Sequence, residues 1–97
     1  RSEVNGLETY YYSGQKGYSL AKNIHKQILI TSSQSPDRGV RKSPFYVIRK
    51  TSMPAALVEI GFVTGNYDAA LLRQKAYRDK MSFAIAKGIL NYLKVSN

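Results

Sequence analysis

The stretch that most constrains the fold is residues 51–64, TSMPAALVEIGFVT. Its centre, residues 55–63, is apolar except for one carboxylate, Glu59, and one glycine, Gly61. Near-continuous apolar composition over this length predicts a strand that is buried on both faces of a sheet. Pro54 suits the start of such a strand because it lacks an N–H, and Gly61 permits a sharp exit. We therefore expect the rest of the chain to be arranged around this strand.

Glu59 is the unusual residue in this strand. A carboxylate among apolar side chains is costly unless it is paired, hydrogen-bonded or placed in a functional cleft. The residues alone leave two interpretations open. One is a structural ion pair with Arg49 or Arg38. The other is a general acid or base held near the end of the strand.

The segments around this strand predict strand, helix, strand, strand, short helix and long helix in chain order. Thr, Tyr and β-branched residues favour strands, whereas apolar residues that recur every three or four positions favour helices. The fold class is therefore α/β, part of a mixed twisted sheet flanked by helices, with about three strands and two to three helices. The predicted elements are strands over 6–13, 45–49 and 55–62, loops over 13–17 and 37–44, a helix capped by Ser19, a short helix capped by Asn66 or Asp68, and a helix over 76–93.

Composition indicates one domain with a positively charged surface. The 97 residues include fifteen Lys and Arg against six Asp and Glu, which gives a net charge of +9. A charge of this size suggests a polyanionic neighbour such as nucleic acid, an anionic membrane surface or an anionic cell-wall polymer. The basic residues are dispersed along the chain, which disfavours nucleic acid as the partner. No apolar run approaches the ~20 residues of a membrane span.

The sequence offers few ligands for a metal. Cysteine is absent, so disulfides and thiolate sites are excluded. The single histidine, His25, cannot build a multi-histidine site alone, and a lone helical histidine is far more often a surface or half-buried side chain than a ligand. Among the other carboxylates, Asp37 is predicted in a turn, and Asp68 and Asp79 are predicted to cap helices or face solvent. Glu59 remains the principal candidate for chemistry.

Five segments follow one another in a recognisable order, with GLETYYY at 6–12, DRGV at 37–40, FYVIR at 45–49, MPAALVEIGFV at 53–63 and AIAKGI at 84–89. Through them nearly the whole chain resembles the zinc-dependent N-acetylmuramoyl-L-alanine amidases of type 3. These are peptidoglycan hydrolases found in bacterial autolysins, cell-separation enzymes and endolysins. The pattern Pro-Ala-x-Leu-Val-Glu-x-Gly-Phe is the most specific part of the resemblance.

The resemblance implies a reaction and a role for Glu59. In this family a zinc-bound water hydrolyses the amide between N-acetylmuramic acid and L-alanine. The glutamate that matches Glu59 is the catalytic acid/base, and apolar surroundings suit it because they favour a protonated carboxyl. Arg38 either reaches a substrate carboxylate or orients Glu59, or it is a surface arginine that stabilises a turn. Glu8 either supports the site or forms an ion pair from strand to helix.

The chain departs from the family pattern at the metal. The family's zinc ligands, two histidines and a glutamate, precede the segment that matches residues 6–12, so none is expected here, and His25 matches no ligand position. We therefore expect residues 1–97 to be the C-terminal half of one catalytic domain, inactive without the N-terminal half that brings the zinc ligands. Peptidoglycan is the expected partner, in an extracellular, cell-wall or periplasmic location. The alternative is a non-catalytic wall-binding or regulatory module.

Overall fold

The secondary structure alternates between strands and helices from one end of the chain to the other. The computed structural model describes residues 4–96. Its elements are β1 (Leu7–Tyr11), α1 (Gly14–Thr31), β2 (Asp37–Lys42), α2 (Tyr46–Arg49), β3 (Ala56–Glu59), α3 (Asn66–Leu72) and α4 (Lys75–Ser96).

The three strands form one mixed sheet in the order β2-β1-β3. β2 runs parallel to β1, and β3 runs antiparallel to it. The α/β class and the mixed sheet with flanking helices are confirmed, with four helices in the structure. Because β1 is the central strand, its side chains determine what lies on each face of the sheet.

The prediction of a loop over residues 37–44 is wrong, because β2 occupies most of it. The segment DRGVRK has no apolar alternation, yet its backbone pairs with β1 in parallel. The register shifts between Leu7 and Thr9, which marks an irregularity in the pairing. Charged side chains are common on edge strands, since they discourage unwanted pairing with other chains. The strand is formed by backbone pairing with β1, which does not depend on an apolar pattern of side chains. The sequence pattern therefore does not predict it.

The prediction of a strand over residues 45–49 is also wrong, because this segment forms the single-turn helix α2. The N–H groups of Ile48 and Arg49 both donate to the carbonyl of Phe45, at 3.1 and 3.0 Å. Only Ile48 of this helix is buried, while Tyr46 and Val47 are exposed. The aromatic and β-branched composition favours a strand, but local hydrogen bonds and one buried anchor determine the helix.

Several predicted boundaries move. α1 begins at Gly14 instead of Ser19, so the expected loop over 13–17 is largely helical, with Ser13 at the N-cap position. A Cβ on Gly17 would lie 3.7 Å from Cβ of Tyr11, an ordinary contact distance, so the first turns of α1 pack against the end of β1 without crowding. α3 has Gly65 at its N-cap position instead of Asn66 or Asp68.

β3 is shorter and more exposed than predicted. It ends at Glu59 instead of residue 62, and all four of its residues are half-buried. The expectation of burial on both faces is therefore wrong for the part of the chain that the structure describes. The reason is that Ala56 and Val58 pack towards the core, whereas Leu57 and Glu59 point to the other face. Gly61, with φ of +153°, provides the predicted sharp exit.

The core lies on one side of the sheet, where α1 packs on β1 and α4 packs on α1. A Cβ on Gly88 would lie 2.5 Å from Cα of Ile24, so the two long helices approach closely at this glycine. The predicted stripe of α4 is buried at Tyr77, Met81, Ala84 and Tyr92, whereas Ile89 and Leu93 are exposed. The buried core residues are Leu7, Ile24, Ile28, Tyr77, Met81 and Ala84.

Candidate active site

Glu59 is the last residue of β3 and lies directly opposite Glu8 of β1. Side chains that oppose each other across an antiparallel pair have Cβ atoms about 5 Å apart and point to the same face. Glu59 is half-buried and Glu8 is buried, with 3% of its surface exposed. The strand pairing therefore places two carboxylates side by side, near the point where β3 ends.

The two carboxylates have different partners. The Nε of Arg41 lies 2.8 Å from Oε2 of Glu8, and the Nε of Arg38 lies 3.7 Å from Oε1. Both arginines lie in β2, so these ion pairs join two strands. The interpretation of Glu8 as part of an ion pair between a strand and a helix is therefore wrong. Glu59 forms no ion pair with any residue from 4 to 96, which contradicts the structural pairing with Arg49 or Arg38.

Arg38 is held between both strands that carry the carboxylates. Its side-chain carbons pack on Gly6, where a Cβ would lie 2.8 Å from Cγ and Cδ of the arginine. Gly6 also has φ of +130°, so a side chain there would be strained as well as crowded. The guanidinium carbon lies 5.2 Å from the ring centre of Phe62, and Nε is buried without a hydrogen bond among residues 4–96. Arg38 therefore links the start of β1 to the segment after β3.

Tyr10 lies on the same face as the two carboxylates, two residues along β1 from Glu8. Burial, together with the hydrogen bond with Glu8 and the charges of Glu8 and Glu59, raises the pKa of its phenol to about 12, against a lowering by Arg41. The ring of Phe45 packs edge-on against Tyr10 at 4.9 Å. The phenol therefore stays protonated at neutral pH. Alternation along β1 places Tyr10 with Glu8, and this is the signal that identifies it in the sequence.

Asp68 secures the segment that follows Glu59. Its Oδ2 accepts hydrogen bonds from the N–H of Gly6 at 2.8 Å and of Phe62 at 2.9 Å. The prediction that Asp68 caps a helix or faces solvent is wrong, because only 2% of the residue is exposed and it bonds two loops. The phenol of Tyr77 donates to the carbonyl of Ile60 at 2.9 Å, which secures the same segment. The position of Asp68 near the start of a helix gives no sign of these distant partners.

His25 is buried between α1 and the sheet, so the expectation of a surface or half-buried side chain is wrong. Its Nδ1 lies 2.8 Å from the Thr9 hydroxyl, and its Nε2 lies 2.9 Å from Oδ1 of Asp37. Asp37 begins β2 and is not the turn residue that the sequence suggested. The hydrogen bond from His25 lowers the pKa of Asp37; burial opposes this shift, and the N–H of Gly39 adds to it.

The residues that the structure describes do not fit a metal centre. No group of three His, Cys, Asp or Glu side chains within residues 4–96 could hold a metal ion. His25 and Asp37 are a pair without a third ligand, and both ring nitrogens of His25 are already hydrogen-bonded. Within the same range, no helix is long and apolar enough to cross a membrane.

Comparison with known families decides which kind of protein has this arrangement. The model of the family described as N-acetylmuramoyl-L-alanine amidase matches residues 1–91. The chain belongs to this family. The catalogued amidases include LytC of Bacillus subtilis, which is 40% identical to the chain over 96 residues. That alignment covers 96% of this chain and 19% of LytC.

Two solved amidase structures have the same fold. The N-acetylmuramoyl-L-alanine amidase AmiC2 of Nostoc punctiforme superposes with a TM-score of 0.90 at 48% identity, over 97% of this chain and 51% of that chain. The catalytic domain of CwlV from Bacillus (Paenibacillus) polymyxa gives 0.88 at 36% identity, over 98% of this chain and 52% of that chain. The chain therefore spans about half of each solved amidase chain.

Proposed function

We propose that the complete protein hydrolyses the amide bond between N-acetylmuramic acid and L-alanine in bacterial peptidoglycan. The observation that carries this proposal is the free carboxylate of Glu59, which ends β3 in a chain of the amidase family and forms no ion pair among residues 4–96. An acid/base must exchange protons, and a carboxylate committed to an arginine does so poorly. Glu59 is the catalytic acid/base of this proposal.

Proton transfer by Glu59 accounts for both halves of the reaction. As a base, its carboxylate accepts a proton from the water whose oxygen bonds to the lactyl carbonyl carbon. As an acid, it returns that proton to the alanine nitrogen while the carbon–nitrogen bond breaks. The products are a carboxylic acid and a free amine, so one water molecule is consumed. Glu8 is paired with Arg41 and takes no part in this proton transfer, since two carboxyl groups with different surroundings suit different roles.

Arg38 and Glu8 are positioning residues in this proposal. Glu8 and Arg41 join β1 to β2, and Arg38 extends from Glu8 to the ring of Phe62, beyond the end of β3. These contacts support the strand that pairs with Glu59 and the segment that follows it. Substrate contact by Arg38 is a further proposed role, since a guanidinium can bind a peptide carboxylate.

Zinc, the metal of the proposed reaction, would activate water and polarise the carbonyl when bound. No side-chain cluster within residues 4–96 fits a metal ion. In this proposal the zinc ligands therefore belong to another part of the protein. We assign residues 1–97 to the C-terminal half of a single catalytic domain, with the zinc ligands in the other half. The partial coverage of both solved amidase chains supports this division. The isolated chain is then expected to be inactive.

The exposed side of β3 supports the same division. β3 is an edge strand of the described sheet, and its residues Ala56–Glu59 include no lysine or proline that would protect an edge. β2, at the other edge, is charged at four of its six positions. We propose that the sheet continues beyond β3 in the complete domain and ends at β2.

The proposed substrate places the protein at the cell wall, outside the cell or in the periplasm. The test is to incubate the intact protein with purified peptidoglycan and count new alanine amino termini and new reducing sugar ends. The proposal predicts new alanine amino termini without new reducing ends. Binding to peptidoglycan without either product would instead support the non-catalytic wall-binding or regulatory module.

A further inference from the structure

A groove runs between α1 and the edge strand β2, on the face of the sheet opposite Glu59. At one end a cavity of about 480 Å³ is lined by Tyr11, Gly14, Gln15, Tyr18 and Lys42. At the other end a cavity of about 290 Å³ is lined by Lys22, His25, Lys26, Leu29 and Val40. Tyr18 and Lys22 connect the two, since the Nζ of Lys22 lies 5.9 Å from the centre of the Tyr18 ring.

The spacing of the lining residues places the two cavities next to each other along α1 and β2. Tyr18, Lys22 and Lys26 are four residues apart on α1, so they lie on one face of the helix. Lys42 pairs with Tyr11, and two residues earlier Val40 pairs with Thr9. These strand residues therefore point to the same side of the sheet, towards α1. Because β2 is an edge strand of the described sheet, no further strand of this sheet covers the groove on that side.

The groove has strong positive charge. Lys22, Lys26 and Lys42 are exposed, and none of the three forms an ion pair with the residues that the structure describes. Neither cavity has a carboxylate in its lining. Lys22 and Lys26 are separated by about 6 Å along the helix axis, a spacing that admits successive charges of a polymer. The free lysines therefore favour an anion that repeats.

Two tyrosines give the groove flat apolar surfaces beside these charges. The rings of Tyr11 and Tyr18 pack edge-to-face with centres 5.5 Å apart. An aromatic ring presents a large apolar surface at low entropic cost, which suits the carbon backbone of a polyol or sugar between charged groups. No arginine lines either cavity, so the bidentate geometry that selects planar or base-edge acceptors is absent from the described lining.

We propose that this groove binds a linear polyol-phosphate polymer of the cell wall, separately from the catalytic site. The lysines bind successive phosphodiesters, and the tyrosines pack on the polyol between them. The choice of a cell-wall polymer rests on the proposed function of the protein in the cell wall. The site itself rests on the groove, whose residues lie on the opposite face of β1 from Glu8 and Tyr10.

The test compares two triple variants of the intact protein with equal charge change. The groove variant is Lys22→Gln, Lys26→Gln, Lys42→Gln; the control is Lys80→Gln, Lys87→Gln, Lys94→Gln on the exposed surface of α4. The probe is fluorescently labelled poly(glycerol phosphate), with anisotropy measured between about 0.05 and 0.2 M salt, the range over which phosphate contacts lose strength steeply. Circular dichroism checks that both variants are folded.

The groove variant should lose at least about tenfold in affinity at the middle of the salt range, and its slope of log K against log salt should fall by about 2, as for three lost phosphate contacts. The control should stay within about threefold of wild type. Equal losses in both variants, or no loss in either, would overturn the proposal. Equal or tighter binding of single-stranded DNA with the same number of phosphates would overturn the choice of polymer.

A small soluble muramoyl peptide separates this proposal from the proposed amidase activity. The groove variant should cleave this substrate at the wild-type rate, since its lysines lie outside the catalytic site. Slower cleavage would place the groove in the catalytic machinery and overturn its independence. If wild type fails to cleave but still binds the polymer through the groove, the amidase proposal fails and the binding site stands.

Discussion

Two neighbouring carboxylates in this molecule have very different surroundings. Glu8 is buried and paired with Arg41, whereas Glu59, directly opposite, forms no ion pair among residues 4–96. The sequence identifies Glu59 because it interrupts an apolar strand. The partner of Glu8 could not be identified, since Arg41 lies in a strand with no apolar pattern. A residue's own segment predicts its cost of burial, but only the strand register determines its partner.

The contact between His25 and Asp37 should make the stability of the fold depend on pH. Because the folded protein lowers the pKa of Asp37, this group stabilises the fold above its unfolded pKa of about 3.9 and loses that contribution as the pH falls through the folded value. Asp37→Asn should therefore lower the melting temperature near neutral pH, by an amount that shrinks below about pH 4.

Melting curves of the intact protein across pH would measure this difference. Asp79→Asn is the matched control, since Asp79 forms only an exposed ion pair with Lys75. If the melting temperature lost by Asp37→Asn instead grew as the pH fell below about 4, the lowered pKa of Asp37 in the folded protein would be contradicted.

Among the elements, glycine acts in two opposite ways within helices. Gly88 lies where α4 meets α1, and an added Cβ would approach Cα of Ile24 to 2.5 Å. Gly17 lies in α1 where an added Cβ would meet Tyr11 at an ordinary 3.7 Å. Gly88→Ala should destabilise the fold by about 1–3 kcal/mol through overpacking. Gly17→Ala should stabilise it by about 0.5–1 kcal/mol through helix propensity.

Urea unfolding of the two variants of the intact protein tests this contrast. The substitution is the same at both positions, so each variant is the control for the other. Stabilisation by Gly88→Ala would contradict the close approach of α1 and α4.

The apolar pattern of the sequence predicts some of these elements and not others. The stripe of α4 follows from apolar periodicity, the strand character of residues 56–59 follows from near-continuous apolar composition, and both elements are in the structure. β2 and α2 could not be predicted in this way. β2 depends on backbone pairing with β1, and α2 depends on local hydrogen bonds to Phe45 together with burial of Ile48. Where a tertiary contact determines the element, the local pattern misleads.

For the whole molecule, the unequal edges of the sheet indicate how the complete domain is built. β3 is apolar apart from Glu59 and β2 is highly charged, so we expect the sheet to extend past β3 only. In the intact protein, the amides of β3 that point away from β1 should then exchange hydrogen slowly. The outward amides of β2 are the matched control and should exchange quickly. Equally fast exchange at both edges would contradict the proposed extension.

The central claim is that Glu59 transfers the protons of amide hydrolysis. The most direct measurement is the rate at which intact Glu59→Gln protein releases alanine amino termini from peptidoglycan, beside wild type and the surface control Asp79→Asn. We expect a loss of about 10²- to 10⁴-fold for Glu59→Gln, with peptidoglycan binding retained, because a general acid/base contributes this much. The control should cleave like wild type. A Glu59→Gln protein that cleaves at the wild-type rate would contradict the catalytic assignment.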